Sequence, residues 1–208
     1  MSRLASQAVA GFFDEWSPPM AYVLGYAFAD GHVAVDRAYR TYRLELGSAD
    51  QGFLLGLREL IGCSHVRLVR FSHTWAIRIS GVGVVHRLAE LGLEPGRHSG
   101  TMRFPEVPGP YLAPFVRGYF DGDGSVSFHT RGKPRVIFYS RSRAFLEGLA
   151  ADFERHGLGS RVPNRRSNRP DEFYLLYGVL LSRRIRDWMY SDNGYRLERK
   201  WRKLYGTA

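Results

Sequence analysis

The chain has 208 residues, with 30 Lys plus Arg against 20 Asp plus Glu and a formal net charge of +10. Its 44% hydrophobic and 14% aromatic content can fill the core of one large or two small domains, which excludes a disordered basic tail. One cysteine, Cys63, excludes a disulfide scaffold and a four-cysteine zinc site and fits a reducing, cytoplasmic setting; no apolar run reaches the roughly 18 residues of a membrane span.

Taken in chain order, the first strong feature is Tyr22-Val23-Leu24-Gly25-Tyr26-Ala27-Phe28-Ala29-Asp30-Gly31, an apolar helix ending in Asp-Gly. β-Branched, aromatic and Arg-bearing segments near 32–46 then read as a hairpin. A helix near 50–61 follows, with Phe53, Leu54, Leu57, Leu60 and Ile61 at helical spacing. Next come a second pair of strands near 66–80 and a helix near 82–92. Pro105-Glu106-Val107-Pro108-Gly109-Pro110 holds three prolines in six residues and reads as a linker that a regular helix cannot cross.

Beyond the linker the order recurs. Phe115-Val116-Arg117-Gly118-Tyr119-Phe120-Asp121-Gly122-Asp123-Gly124 answers the first helix at a shift of 92 to 93, and Arg135-Val136-Ile137-Phe138 and Ser140 answer Arg43-Leu44-Glu45-Leu46 and Ser48. A hairpin near 125–139, a helix near 142–156, strands near 161–177 and a helix near 179–190 complete the second copy. The expected fold class is α+β: two pseudo-twofold-related α-β-β-α-β-β-α halves, 1–104 and 111–208, joined by 105–110. Residues 106–208 carry 19 of the 30 basic residues and 11 of the 20 acidic ones, so the second half is the more basic. Only three basic residues are lysines, Lys133, Lys200 and Lys203; the planar fork of arginine matches phosphates and guanine edges, which makes a nucleic acid the leading partner.

Gly25 and Ala29, like Gly118 and Gly122, lie four apart and make a small-residue stripe on each helix. Such stripes let two backbones approach closely, so the two helices are expected to pack together, with Gly31 and Gly124 ending them in the left-handed conformation. Asp30 and Asp123 then meet at one end of the pair. Helix C-termini carry negative partial charge and paired carboxylates repel. A divalent cation with oxygen ligands removes both objections. A calcium loop through Asp121, Asp123 and Ser125 fails, because its sixth and twelfth positions are Val126 and Gly132.

Both ten-residue segments resemble the signature helix of the LAGLIDADG homing endonucleases, and two copies in one chain resemble the monomeric, double-motif type. The resemblance runs from about Trp16 to Tyr205 and includes Leu91-Gly92-Leu93-Glu94-Pro95-Gly96-Arg97-His98-Ser99 and Tyr195-Arg196-Leu197-Glu198-Arg199-Lys200-Trp201. It implies that Asp30 and Asp123 bind catalytic Mg²⁺, with the carbonyls of Ala29 and Gly122 contributing and Ca²⁺ binding without supporting cleavage. It also implies antiparallel sheets forming a saddle in the DNA major groove, the motif helices at the interface, and hydrolysis of one phosphodiester per strand with short 3′ overhangs. Lys200 becomes a candidate accessory cation, against a plain reading as an exposed helix charge, and His98 is its counterpart in the first half. The strand-end positions where the family uses polar or basic residues hold Ser48 and Ser140, and the first motif has Phe28 where the second has Asp121.

DNA contacts are expected from Arg37, Arg40, Arg43, Arg67, Arg70 and Arg78 in the first half. In the second they are expected from His129, Arg131, Lys133, Arg135, Arg161, Asn164, Arg165, Arg166, Asn168 and Arg169. Strand alternation turns only about half of such residues toward a groove. The alternatives on the same fold are a noncatalytic DNA-binding regulator and a maturase that binds intron RNA; retention of both aspartates argues against the regulator.

Overall fold

The computed structural model describes residues 11–36, 38–63, 66–96 and 99–206. Helix α1, Pro18–Asp30, starts where the side chain of Ser17 accepts from the Met20 N–H, with prolines in its first turn. A proline there loses no hydrogen bond, since the first N–H groups have no partner inside the helix. The same rule explains α4, Gly109–Asp123, whose N-cap is Pro108 and whose first turn holds Pro110. That helix therefore begins inside the stretch expected to be linker: Pro108 and Pro110 stand at its entry, where a proline costs no hydrogen bond, and the helix also accommodates Pro114 farther in.

The first half continues with β1 Gly31–Asp36, β2 Thr41–Ser48, α2 Gln51–Leu60, β3 Val69–Phe71, β4 Thr74–Ser80 and α3 Val82–Glu90. The second has β5 Gly124–Phe128, β6 Pro134–Ser140, α5 Arg143–Arg155, β7 Asn164–Arg166, β8 Arg169–Leu176, α6 Val179–Met189 and a further helix, α7 Glu198–Tyr205. Each half forms one antiparallel four-stranded sheet, in order β1-β2-β4-β3 and β5-β6-β8-β7. Helices α2 and α3 cover one face of the first sheet, α5 and α6 one face of the second. Leu44, Leu46, Ile77 and Ile79 are buried under the first cover, and Val136, Phe138 and Leu175 under the second. The other face of each sheet stays open.

Helices α1 and α4 pack on each other along their length. A Cβ added at Gly25 would lie 1.9 Å from the carbonyl oxygen of Phe115, and one at Gly118 would lie 2.0 Å from that of Tyr22. These contacts exchange under the internal repeat, so the expected pseudo-twofold packing is present and requires glycine at both positions. Gly31 and Gly124 correct an expectation. Both are extended, at φ −87° and −76°, instead of left-handed; they are glycines because a Cβ would strike the Ala27 carbonyl at 2.3 Å and the Phe120 ring at 2.2 Å.

Each half also lends an aromatic to the other. Tyr195 lies against Gly56 of α2 and donates to the Phe53 carbonyl at 2.5 Å, while Phe104 lies against Gly148 of α5. Gly56 and Gly148 are repeat-equivalent, so the segments leaving the two halves cross over in the same way. Among the described residues no helix is long and apolar enough to cross a membrane.

Candidate active site

Close packing carries straight to the helix ends. The Cβ of Ala29 lies 2.3 Å, and a carboxylate oxygen of Asp30 3.3 Å, from where a Cβ on Gly122 would stand. Asp30 and Asp123 therefore meet at one end of the α1–α4 pair. Burial raises the Asp123 carboxyl to about 7, the charge of Asp30 adds to the rise, Lys200 opposes it and Glu172 adds again. Asp30 is raised by desolvation and held down by the charge of Lys200, by the nearby Tyr26 hydroxyl and by Arg199. Two carboxylates that resist sharing negative charge, with oxygen donors only, fit a hard divalent cation. Among the described residues no cluster of three or more His, Cys, Asp or Glu surrounds them, so backbone carbonyls, water and ligand oxygens must complete any coordination shell.

A tyrosine on each helix anchors the adjacent strand end. Tyr26 donates to the Gly47 carbonyl at 2.6 Å and its repeat partner Tyr119 to that of Tyr139 at 2.7 Å. Ser48 and Ser140 accept from the backbone N–H of Asp50 and Ser142, each at 3.1 Å. Both serines thus shape the turn into the next helix, a task for which a hydroxyl two residues back is well placed.

Lys200 corrects the view of it as an exposed charge. Its ammonium donates to the carbonyls of Phe120, Asp121 and Gly122 at 2.8, 2.7 and 2.7 Å, and the residue is only 6% exposed. A cation on the last carbonyls of a helix satisfies acceptors that have no partner in the helix and opposes the dipole. Desolvation nonetheless lowers its pKa to about 8, with Asp121 the first opposing charge. The Gly122 carbonyl, a candidate metal ligand, is thereby engaged already.

Two further residues escaped the sequence reading. Arg117 is buried and donates to the carbonyls of Tyr195 at 3.0 Å and Met189 at 2.7 Å, and it pairs with Asp192. Asp121 is buried and accepts from the Tyr22 hydroxyl and the Leu197 N–H, each at 2.7 Å; burial still pushes its carboxyl up to about 6. Together they strap residues 189–197 onto α4. The available signal was that Arg117 and Asp121 stand four apart where the first repeat has Leu24 and Phe28.

Strand pairing sorts the expected DNA contacts. Cross-strand neighbours share a face, and on the open face of the first sheet Ala34, Arg43 and Ser80 form one row and His32, Glu45 and Arg78 the next. Arg78 donates to Glu45 at 2.5 Å and lies 4.8 Å over the Phe71 ring. In the second half Arg135 stands opposite Ser127, and Arg166 pairs with Glu172 and lies 5.1 Å over Tyr139. The Nε atoms of the repeat-equivalent Arg43 and Arg135, and the Ser127 hydroxyl, are buried without a protein hydrogen-bond partner. Arg40, Arg67, His129, Lys133, Arg161, Asn164, Asn168 and Arg169 are exposed, mostly at turns and the outer edges of the sheets. Arg70 and Arg165 are corrected: they pair with Trp75 and Phe173 on the helix-covered side and lie 5.5 and 5.6 Å over those rings. Arg37, His98 and the side chain of Arg131 lie outside the described residues.

Residues 110–201 match the LAGLIDADG-like domain family. The homing endonuclease I-DmoI, solved in complex with DNA and Mn, superposes with a TM-score of 0.62 at 16% identity, covering 88% of this chain and 98% of that one. The chain has the LAGLIDADG fold. Other proteins of this fold match as closely: I-WcaI bound to its DNA recognition sequence has a TM-score of 0.63 at 14% identity over 98% and 92% of the two chains. The meganuclease I-AabMI, bound to uncleaved DNA, has 0.60 at 10% over 91% and 88%. In LAGLIDADG terms α1 and α4 are the two motif helices and β1–β8 the two sheets. Among curated relatives, the replication factor C small subunit of Methanocaldococcus jannaschii is 23% identical over 194 residues, 91% of this chain and 10% of that protein. The DNA polymerase II large subunit of Thermococcus kodakarensis is 26% identical over 139 residues, 63% of this chain and 7% of that one. The chain thus spans a tenth or less of the length of these relatives.

Proposed function

We propose that this protein is a monomeric, site-specific DNA endonuclease that makes a metal-dependent, staggered double-strand break at a long target. The observation that carries this reading is the convergence of Asp30 and Asp123 where two glycine-packed helices end, between two sheets whose open faces bear arginines. The printed descriptions of the structural neighbours, homing endonucleases and a meganuclease with DNA, point the same way. The halves 1–104 and 111–208, joined by 105–110, each take one side of the target.

Asp30 and Asp123 would hold Mg²⁺ between the helix ends; Ala29 is the carbonyl donor best placed to assist, since Lys200 already occupies that of Gly122. When bound, the metal polarises the scissile phosphate and helps ionise the attacking water. The chain does the rest. Arg43, Arg78, Arg135 and Arg166 present guanidinium groups on the open faces for phosphates and base edges. Lys200 fixes the carbonyls from which Asp123 projects.

The test is a cleavage selection on a genomic or randomised DNA library with Mg²⁺, repeated with Ca²⁺ and with EDTA. We expect one long site cut with a short 3′ stagger in Mg²⁺, binding without cutting in Ca²⁺, and no cutting in EDTA. Asp30→Asn or Asp123→Asn should abolish double-strand cleavage and leave binding within a modest factor; cutting at the wild-type rate by either variant overturns the metal assignment. Enrichment without any cutting by the wild type makes the protein a binding module on an endonuclease fold.

A further inference from the structure

The cation expected to meet a scissile phosphate was Lys200, yet all three of its protons are spent on α4 carbonyls and its side chain is closed off from solvent. Its neighbour is placed in the opposite way. Arg199 sits in the first turn of α7, exposed, and makes no hydrogen bond or ion pair among the described residues. It lines an open cleft of about 320 Å³ together with Tyr26, Asp30, Ser48 and Thr74. At roughly 30 Å³ per water, that volume admits a phosphodiester with several solvating waters. The charge of Arg199 reaches both Asp30 and Lys200, so its guanidinium lies within electrostatic range of the carboxylate in the cleft. Among the described residues, the charges acting on Asp123 are Asp30, Lys200 and Glu172, so Arg199 belongs to the Asp30 side of the pair.

We propose that Arg199 is the phosphate-binding cation of the Asp30 centre, so the two strands of the target depend on Arg199 unequally. This rests on the endonuclease reading above. An unpaired guanidinium beside a carboxylate suits the role, because its fork can bind two phosphate oxygens at once. A buried lysine locked to three carbonyls would first have to abandon them.

The test uses the full chain and the target recovered by selection, on supercoiled plasmid with each strand labelled separately. Arg199→Gln should slow cleavage of one strand by about ten- to a hundredfold, the range of a lost charge-assisted hydrogen bond. The other strand should be cut within about twofold of the wild-type rate, so nicked circles accumulate. Arg199→Lys should recover part of the loss. Arg202→Gln, which removes an exposed charge paired with Glu198 on the same helix, should leave both strands unaffected. Binding gives an independent readout in EDTA: the slope of log Kd against log salt should fall by about one for Arg199→Gln. Equal rates on both strands in Arg199→Gln, or equal slowing of both, overturns the proposal while the endonuclease reading stands. An unchanged salt slope overturns it as well, and a wild type that cuts neither strand defeats both readings together.

Discussion

Lys200 is a buried charge whose value lies in what it holds. One ammonium meets three backbone acceptors at the end of α4; Phe120 also accepts from the Gly124 N–H, but the carbonyls of Asp121 and Gly122 have no partner inside the helix and depend on it. Lys200→Met would leave them buried and unpaired, at a cost of about 2–5 kcal/mol; for a chain of this size that should lower Tm by roughly 5–20 °C. Lys200→Arg should not restore stability, since a planar fork cannot converge on three successive carbonyls of one turn. A Tm within 2 °C of wild type for Lys200→Met, a limit of about 1 kcal/mol, would show that the contacts are dispensable. Cys63 is a second residue defined by its surroundings: burial pushes its thiol up to about 11, and it donates to the Arg58 carbonyl at 3.3 Å. Alkylation of the native protein should therefore stay negligible at pH 8 and rise only as the pH approaches 11 or on denaturation, because the thiolate is the reactive form; rapid labelling at pH 8 would place Cys63 outside the core. Asp30 and Asp123 were legible because each stands at the end of a repeated helix. Lys200, Arg117 and Asp121 were not legible in this way, since each is fixed by partners about 70 to 100 residues away, and one chain without its pairing shows no such partner.

At the scale of elements, the repeat and the alternation of apolar residues made the strands, the four covering helices and the motif helices readable. Face and register were harder. Arg70 and Arg78 look alike in the sequence, yet pairing with Trp75 turns Arg70 to the covered side while pairing with Glu45 turns Arg78 to the open one. One residue of offset between neighbouring strands decides such an outcome, and no local pattern encodes it. The α1–α4 contact is the element that tolerates least. Gly25→Ala or Gly118→Ala places a Cβ about 2 Å from a backbone carbonyl, which no rotamer relieves, so the helices must separate. Each substitution should cost at least the 1–3 kcal/mol typical of overpacking and should reduce cleavage of both strands by moving Asp30 away from Asp123. Gly83→Ala is the matched control on an open helix surface, where an added Cβ meets nothing within 4 Å, and it should be neutral or slightly stabilising. Equal Tm values for the three variants would mean that the helix pair is looser than these contacts require.

Across the whole molecule, the two halves are joined through the packed α1–α4 pair, and that sharing has a thermodynamic consequence. Gly25 of α1 packs on the α4 backbone at Phe115 and Gly118 of α4 on the α1 backbone at Tyr22, and the exit segments cross so that Tyr195 completes the first half and Phe104 the second. Each half alone would expose its motif helix, whose residues from Met20 to Phe28 are buried in the first half, and would lose an aromatic from its core. The protein should therefore unfold in a single cooperative transition despite its internal duplication. Trp16 and Trp75 lie in the first half and Trp188 and Trp201 in the second, which provides reporters on both sides. Variants retaining only one pair of tryptophans should give the same urea midpoint by fluorescence as the intact chain gives by circular dichroism. Adding Mg²⁺ should move both midpoints upward together, by the mass action of a ligand that binds only the assembled helix pair, and Asp30→Asn with Asp123→Asn should remove the shift. Two separated midpoints, or a metal shift confined to one half, would mean that the aspartates are held by halves that fold independently, and a site shared between them could then form only after docking.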